Sequence, residues 1–223
     1  MKKTLTLFLL AFATIGGQNV MAQSSSWSTG ADLVSGYVWR GAKFGTGPAI
    51  QPTVEFSTGS LAIGAWGSYG LTTDAEENSE ADLYASYAFK LSKSVSLTAT
   101  LTDYYFPSAG IDYFNGEAHS FEPMLGLSMG KLSLTGAYMT NKSGNQDIGD
   151  TYLEAGYAFS HINVFLGAGN GQYTDDGDFD VCNIGIGTSK DLKITDSFTL
   201  PLFGSVIMNP STQQLYIVVG LSL

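Results

Sequence analysis

Charge is scarce in this chain: Asp, Glu, Lys and Arg make up 13% of its 223 residues, about half the usual share of a soluble domain. Cysteine is nearly absent. The one copy, Cys182, excludes an intramolecular disulfide. The two histidines, His119 and His161, fall into no metal-binding spacing, and no phosphate-binding glycine loop is present. No apolar run reaches the ~20 residues that a transmembrane helix needs. Basic residues number 10 against 20 acidic ones, a balance that argues against nucleic acid as a partner. Glycine and aromatics, by contrast, are plentiful: 27 Gly, 13 Phe, 12 Tyr and 3 Trp.

The first residues read as an export leader. Met1-Lys2-Lys3 is a basic start, Leu5 to Ile15 is an apolar stretch, and Val20-Met21-Ala22 is a small-residue cleavage site that leaves Gln23 first in the mature chain. A lipoprotein leader would need a cysteine just after the cut, and Cys182 is far away. The expected division is a signal peptide over 1–22 and one domain over 23–223. Without Lys2 and Lys3, eight basic residues face 20 acidic ones.

Period-two alternation runs through the rest, placing one set of side chains on each face of a sheet. Leu83, Ala85, Tyr87 and Phe89 alternate with Asp82, Tyr84, Ser86 and Lys90. Val95, Leu97, Ala99 and Leu101 alternate with Ser94, Ser96, Thr98, Thr100 and Thr102. Ile162, Val164 and Leu166 stand against His161, Asn163 and Phe165, and Leu215, Ile217, Val219, Leu221 and Leu223 against Tyr216, Val218, Gly220 and Ser222. Segments of about ten residues suit tilted strands that cross a hydrocarbon layer. Tyr37, Trp39, Phe56, Tyr69, Phe89, Tyr105, Tyr157, Phe159 and Phe198 fall near segment ends, where interfacial girdles belong.

Connectors alternate in kind. Ser57-Thr58-Gly59-Ser60, Leu91-Ser92-Lys93, Met129-Gly130-Lys131, Ser160-His161 and Ser189-Lys190-Asp191-Leu192-Lys193 are short and tend to carry lysine. Thr72 to Ser79, Asp103 to Ala118, Thr140 to Gly149 and Asn170 to Asp178 are longer and mostly acidic. Only a barrel across a membrane sorts its loops this way, with tight turns at one end and long loops at the other. The expected fold is all-β: an antiparallel transmembrane β-barrel of twelve strands, with ten the competing count. An even count places both termini on the periplasmic side. Pro52, Pro123 and Pro201 lie inside segments, where a soluble sheet would tolerate them poorly.

The first hairpin reads Leu33-Val34-Ser35-Gly36-Tyr37-Val38-Trp39-Arg40-Gly41, then Pro48-Ala49-Ile50-Gln51-Pro52. It resembles the start of the TorF-like family of putative porins, which opens with a Tyr-x-x-Arg-Gly signature and a second strand containing Pro and Gln. Gly36 and the terminal Leu223 depart from the expected pattern. The resemblance implies an outer-membrane barrel and suggests a pore. It names no solute.

With Tyr37 and Trp39 taken as outward-facing, Arg40 enters the lumen, and the same alternation turns Gln51, Glu55, Asp82, Glu122 and Glu154 inward. Two readings stand side by side: a charged constriction selecting cations or polar solutes, or an ion-pair network that fills a narrow barrel. Acidic Asp175, Asp176 and Asp178 read as a solvated external loop, because the carboxylate spacing does not match a calcium loop. Asp74, Glu76 and Glu77 read the same way. Cys182, in register with Ile184 and Ile186, is expected on the outward face. Asp103-Tyr104-Tyr105-Phe106 with Tyr113 and Phe114 reads as an aromatic rim, or alternatively as a sugar-binding surface. His119 beside Ser120 raises a lipid hydrolase, but neighbours on a strand point to opposite faces.

The functional expectation is therefore a porin-like channel for small polar solutes or ions in an outer membrane, with no catalytic residues, metal or cofactor. The alternative is a non-conducting barrel that acts through its external loops. Expected partners are outer-membrane lipid and lipopolysaccharide, the barrel-insertion machinery and small polar solutes. Long loops are expected outside the cell and the lysine-bearing turns in the periplasm.

Overall fold

Each alternating segment becomes a strand, and each pairs with its sequence neighbour. The computed structural model describes residues 25–72, 79–143, 146–196 and 198–223. The leader and the acidic residues Asp74, Glu76 and Glu77 lie outside them. Among the described residues there are fourteen strands: β1 (Ser25–Val34), β2 (Tyr37–Trp39), β3 (Ala42–Phe44), β4 (Ala49–Thr58), β5 (Leu61–Gly70), β6 (Glu80–Lys90) and β7 (Val95–Tyr105), then β8 (His119–Met129), β9 (Leu132–Ser143), β10 (Gln146–Ala158), β11 (Asn163–Gly169), β12 (Asp180–Lys193), β13 (Thr199–Asn209) and β14 (Gln214–Ser222). Twelve of them close an antiparallel barrel, while β2 and β3 form a separate two-stranded ribbon. The barrel closes where β1 meets β14, through Asp32↔Ser222, Leu33↔Leu221 and Val34↔Gly220. Leu223 and Ala31 add a reciprocal backbone pair beside them.

The outward face is apolar and exposed. Leu83, Leu101, Leu125, Leu134, Leu153, Leu166, Ile186, Val206 and Ile217 all point away from the lumen with large exposed surfaces. A closed barrel that presents such a belt has hydrocarbon, not water, as its natural surroundings. Exposed aromatics flank the belt. At the short-turn end Trp27 packs on Phe56, Tyr87 on Phe89 and Tyr157 on Phe159. At the long-loop end sit Tyr69, Tyr138, Phe121 and the Tyr105–Tyr113 pair. The prolines fit at local cost: the β4–β5 register skips from Ile50 to Thr53 around Pro52, and the β8–β9 register skips from Phe121 to Met124 around Pro123, since proline cannot donate to the ladder.

Several expectations need correction. Tyr37 and Trp39 do not belong to an outward girdle; both are buried inside the barrel. The chain leaves the wall after Val34, so the alternation counted through Gly36 does not carry the wall's faces into β2. Cys182 is also inward and fully buried. A β-bulge is the cause: Gly167 pairs with Asn183 and Ala168 with Val181, so Cys182 is the extra residue and the period breaks there. Thr140 to Gly149 is mostly strand, because β9 runs to Ser143 and β10 starts at Gln146. Ser189 to Lys193 likewise ends β12, and the connector follows it. The interior glycines serve close approach, as the ring of Phe165 lies over Gly185 and that of Phe203 over Gly220.

Candidate functional site in the lumen

The β2–β3 ribbon turns back at Arg40-Gly41, and both residues have positive φ, 50° and 81°. Two such residues make the tight hairpin turn whose twist matches its strands. For arginine that conformation is strained, which costs of order 1–3 kcal/mol. Gly41 is required for a second reason: a side chain there would strike the carbonyl of Cys182 on β12. The hairpin thus lies against the barrel wall with its tip inside the lumen.

Tyr37 and Trp39 of the ribbon reach different parts of the wall. Tyr37 packs on Trp66 of β5, with ring centroids 5.5 Å apart. It is also hydrogen-bonded to Glu80 on β6. Trp39 packs on Tyr104 of β7 at 5.8 Å and on Tyr173 at 5.6 Å. Asn209, at the end of β13, donates through Nδ2 to the carbonyls of Gly41 (3.3 Å) and Tyr173 (3.0 Å). That one amide joins the hairpin to the 170–179 connector.

Arg40 is at the centre. Its Nη1 donates to Glu122 Oε2 at 2.5 Å and to Tyr173 Oη at 2.8 Å, and its Nη2 donates to Glu122 Oε1 at 2.9 Å. This is a bidentate, charge-assisted fork. The guanidinium carbon lies 4.3 Å from the ring centroid of Trp39, 4.5 Å from Tyr152 and 5.6 Å from Tyr173. Tyr104 Oη also donates to Glu122, at 3.2 Å. On the far side of Tyr152, its Oη donates to Glu154 at 2.5 Å, and Asn183 Nδ2 donates to Tyr152 Oη (2.8 Å) and to Glu154 (3.0 Å). Burial pushes the Tyr173 phenol up to about 12, so it stays neutral and accepts from Arg40.

The residues expected to line the lumen all face it, but they do not form one site. Arg40 and Glu122 pair directly, and Glu154 joins them through Tyr152. Asp82 lies next to Glu80 on the same face of β6, with its Oδ1 buried and without a hydrogen-bond partner among the described residues. Gln51 donates to Ser68 of β5 at 3.2 Å. Glu55 sits nearer the short turns and accepts from Tyr84 at 2.9 Å. Pattern reading missed Trp39, Tyr104, Tyr152, Tyr173, Asn183 and Asn209. Tyr104 and Tyr152 carried a usable signal, since they share an inward register with Glu122 and Glu154. Asn209 continues the inward register of Ser205 and Ile207 in β13, whereas Tyr173 carried no signal, because connectors have no period.

The acidic connector is folded back on the barrel. Asp176 accepts from the amide of Asp178, Thr174 donates to the carbonyl of Asp178, and the amide of Asp175 donates to Ser211. The aromatic stretch splits: Tyr104 turns inward, while Tyr105 turns outward with Tyr113 and His119. His119 bridges Asp103 Oδ1 (2.7 Å) and the carbonyl of Tyr113 (2.5 Å). Ser120 is on the opposite face from His119, in register with Glu122.

No family model matches the chain, so the likeness to the TorF-like family rests on residues 33–52 alone. No curated protein matches it either. Among solved structures, two mutant forms of the porin of Rh. blastica align with it at 13% and 14% identity, both with a TM-score of 0.40. Each alignment covers 90% of this chain and 99% of the porin. At that identity and score, neither strand count nor function is transferred from them.

Proposed function

We propose that this protein is an outer-membrane barrel of the porin kind that passes small polar solutes or ions, with the β2–β3 hairpin as its constriction. One observation carries the reading: the lumen wall near the short turns is polar and still accessible. There β7 presents Ser96, Thr98 and Thr100, and Tyr84 on the adjacent strand β6 donates to Glu55 of β4, all of them partly exposed. A barrel kept only as a scaffold would gain stability by filling that space with apolar side chains. The passage is diffusive and uses no covalent chemistry. In this reading the long connectors face the outside of the cell and the lysine-bearing turns face the periplasm.

A second reading has an observation of its own. Glu122, Tyr173, Tyr152 and Asn209 are almost fully buried around the hairpin tip, so the long-loop half of the lumen is packed. That suits a barrel without conductance which works through its external loops. Reconstitution in planar bilayers separates the two. Stepwise currents that grow when the hairpin is released support the channel, and silence from both the native and the released protein sinks it.

A further inference from the structure

Arg40 is held in the way a ligand is held. Of the groups that touch its guanidinium, only Trp39 travels with the hairpin. The others belong to the wall or to the connector folded over it: Glu122 and Met124 on β8, Tyr152 on β10, and Tyr173. These groups are ordered by partners other than Arg40. Tyr104 donates to Glu122, Asn183 donates to Tyr152, and Asn209 holds the Tyr173 carbonyl. A hairpin that swung away would leave behind a carboxylate that has lost its donor at Oε2 and keeps only Tyr104 at Oε1, with the rings of Tyr152 and Tyr173 beside it.

We propose that this wall is a binding site for solutes that carry a guanidinium group, and that Arg40 is its built-in occupant while the hairpin is inserted. The inference rests on the channel reading above, whose substrate class it narrows. The fork is the reason for choosing guanidinium. A planar cation donates to both oxygens of Glu122 at once, packs on the ring of Tyr152 and donates to the Tyr173 hydroxyl, whereas an ammonium is a point charge with no plane to stack. The tether also explains why a free solute would not displace Arg40 readily, since a side chain on the same polypeptide competes at high effective concentration. Arg40 is the only arginine of the chain, so no other residue of the protein can supply the group.

The test removes the occupant and supplies the group from solution. Arg40→Ala is purified in detergent and its barrel is checked by the mobility shift between unheated and boiled samples. Methylguanidinium is then titrated by calorimetry and aromatic fluorescence. The expected result is binding at least about tenfold tighter than to the native protein, with methylammonium and urea at least about tenfold weaker on the same variant. Adding Glu122→Gln should abolish the gain. Equal binding by native and Arg40→Ala protein, equal binding of methylammonium, or a gain that survives Glu122→Gln would overturn the proposal. If Arg40→Ala forms no shifted barrel, Arg40→Gln replaces it. If neither does, both are refolded with millimolar methylguanidinium: recovery that requires Glu122 supports the site, and no recovery overturns it. These readouts are independent of conductance, so a failed site and a failed channel give different results.

Discussion

Arg40 and Glu122 stand 82 positions apart in sequence, and the fork between them pins a hairpin to the opposite wall of the barrel. Both side chains are nearly removed from solvent, at 9% and 2%. Removing one partner of a buried pair leaves the other charge uncompensated and costs about 3–5 kcal/mol. Glu122→Gln should therefore loosen the hairpin by about that amount while the twelve-strand ladder keeps its pairing. Hydrogen exchange would read it: amides of β2 and β3 lose protection by two to three orders of magnitude, roughly, and those of β12 and β13 do not. Uniform loss over the whole barrel would show that the pair supports the wall and not the hairpin.

Cys182 gives a native reporter for the same motion. It is fully buried at the bulge in β12, with Gly41 of the hairpin against its carbonyl. The native protein should resist a small maleimide in detergent. Glu122→Gln or Arg40→Ala should label at least about tenfold faster, because access follows the population of the released hairpin. Labelling of the native protein at the rate of a free thiol would mean that the hairpin does not cover this wall.

The barrel was legible in the sequence because strands that face lipid on one side and a lumen on the other must alternate. The inward register of Gln51, Glu55, Asp82, Glu122 and Glu154 followed from that alone. Alternation fails where the chain leaves the wall or adds a residue to it. Tyr37 and Trp39 were misplaced by the first failure and Cys182 by the second. Arg40 was expected in the lumen, yet it enters from the tip of a hairpin and not from a strand of the wall. Apart from its neighbour Trp39, the rings around Arg40 come from β10 and a connector, and no local pattern links residues so far apart.

Asn209 should matter more than its size suggests. Its amide donates to the carbonyls of Gly41 and Tyr173, and its Oδ1 accepts from the amide of Thr212. Asn209→Ala leaves buried backbone groups without partners, a loss of about 1–3 kcal/mol. Its effect should appear in two places at once, as faster exchange in the hairpin and in residues 170–174. Aspartate in place of asparagine should be no better, since a carboxylate cannot donate to the two carbonyls. If Asn209→Asp kept full protection at both places, the bridge would not be what holds them.

The lipid belt is open to a direct test at Leu153. It sits on the outward face of β10, opposite Gly136 and Ala168, and is 49% exposed. A lysine there would meet hydrocarbon if the barrel spans a bilayer, at a cost of about 2–4 kcal/mol near the midplane. In water the same exposed position would accept lysine almost freely. Denaturant-controlled folding into lipid vesicles should show Leu153→Lys destabilised by that amount, while Ser96→Lys, whose side chain faces the lumen, costs much less. Equal costs at the two positions would mean that the apolar face is not the one in contact with lipid. The contrast works because period two turns Leu153 toward lipid and Ser96 toward the lumen.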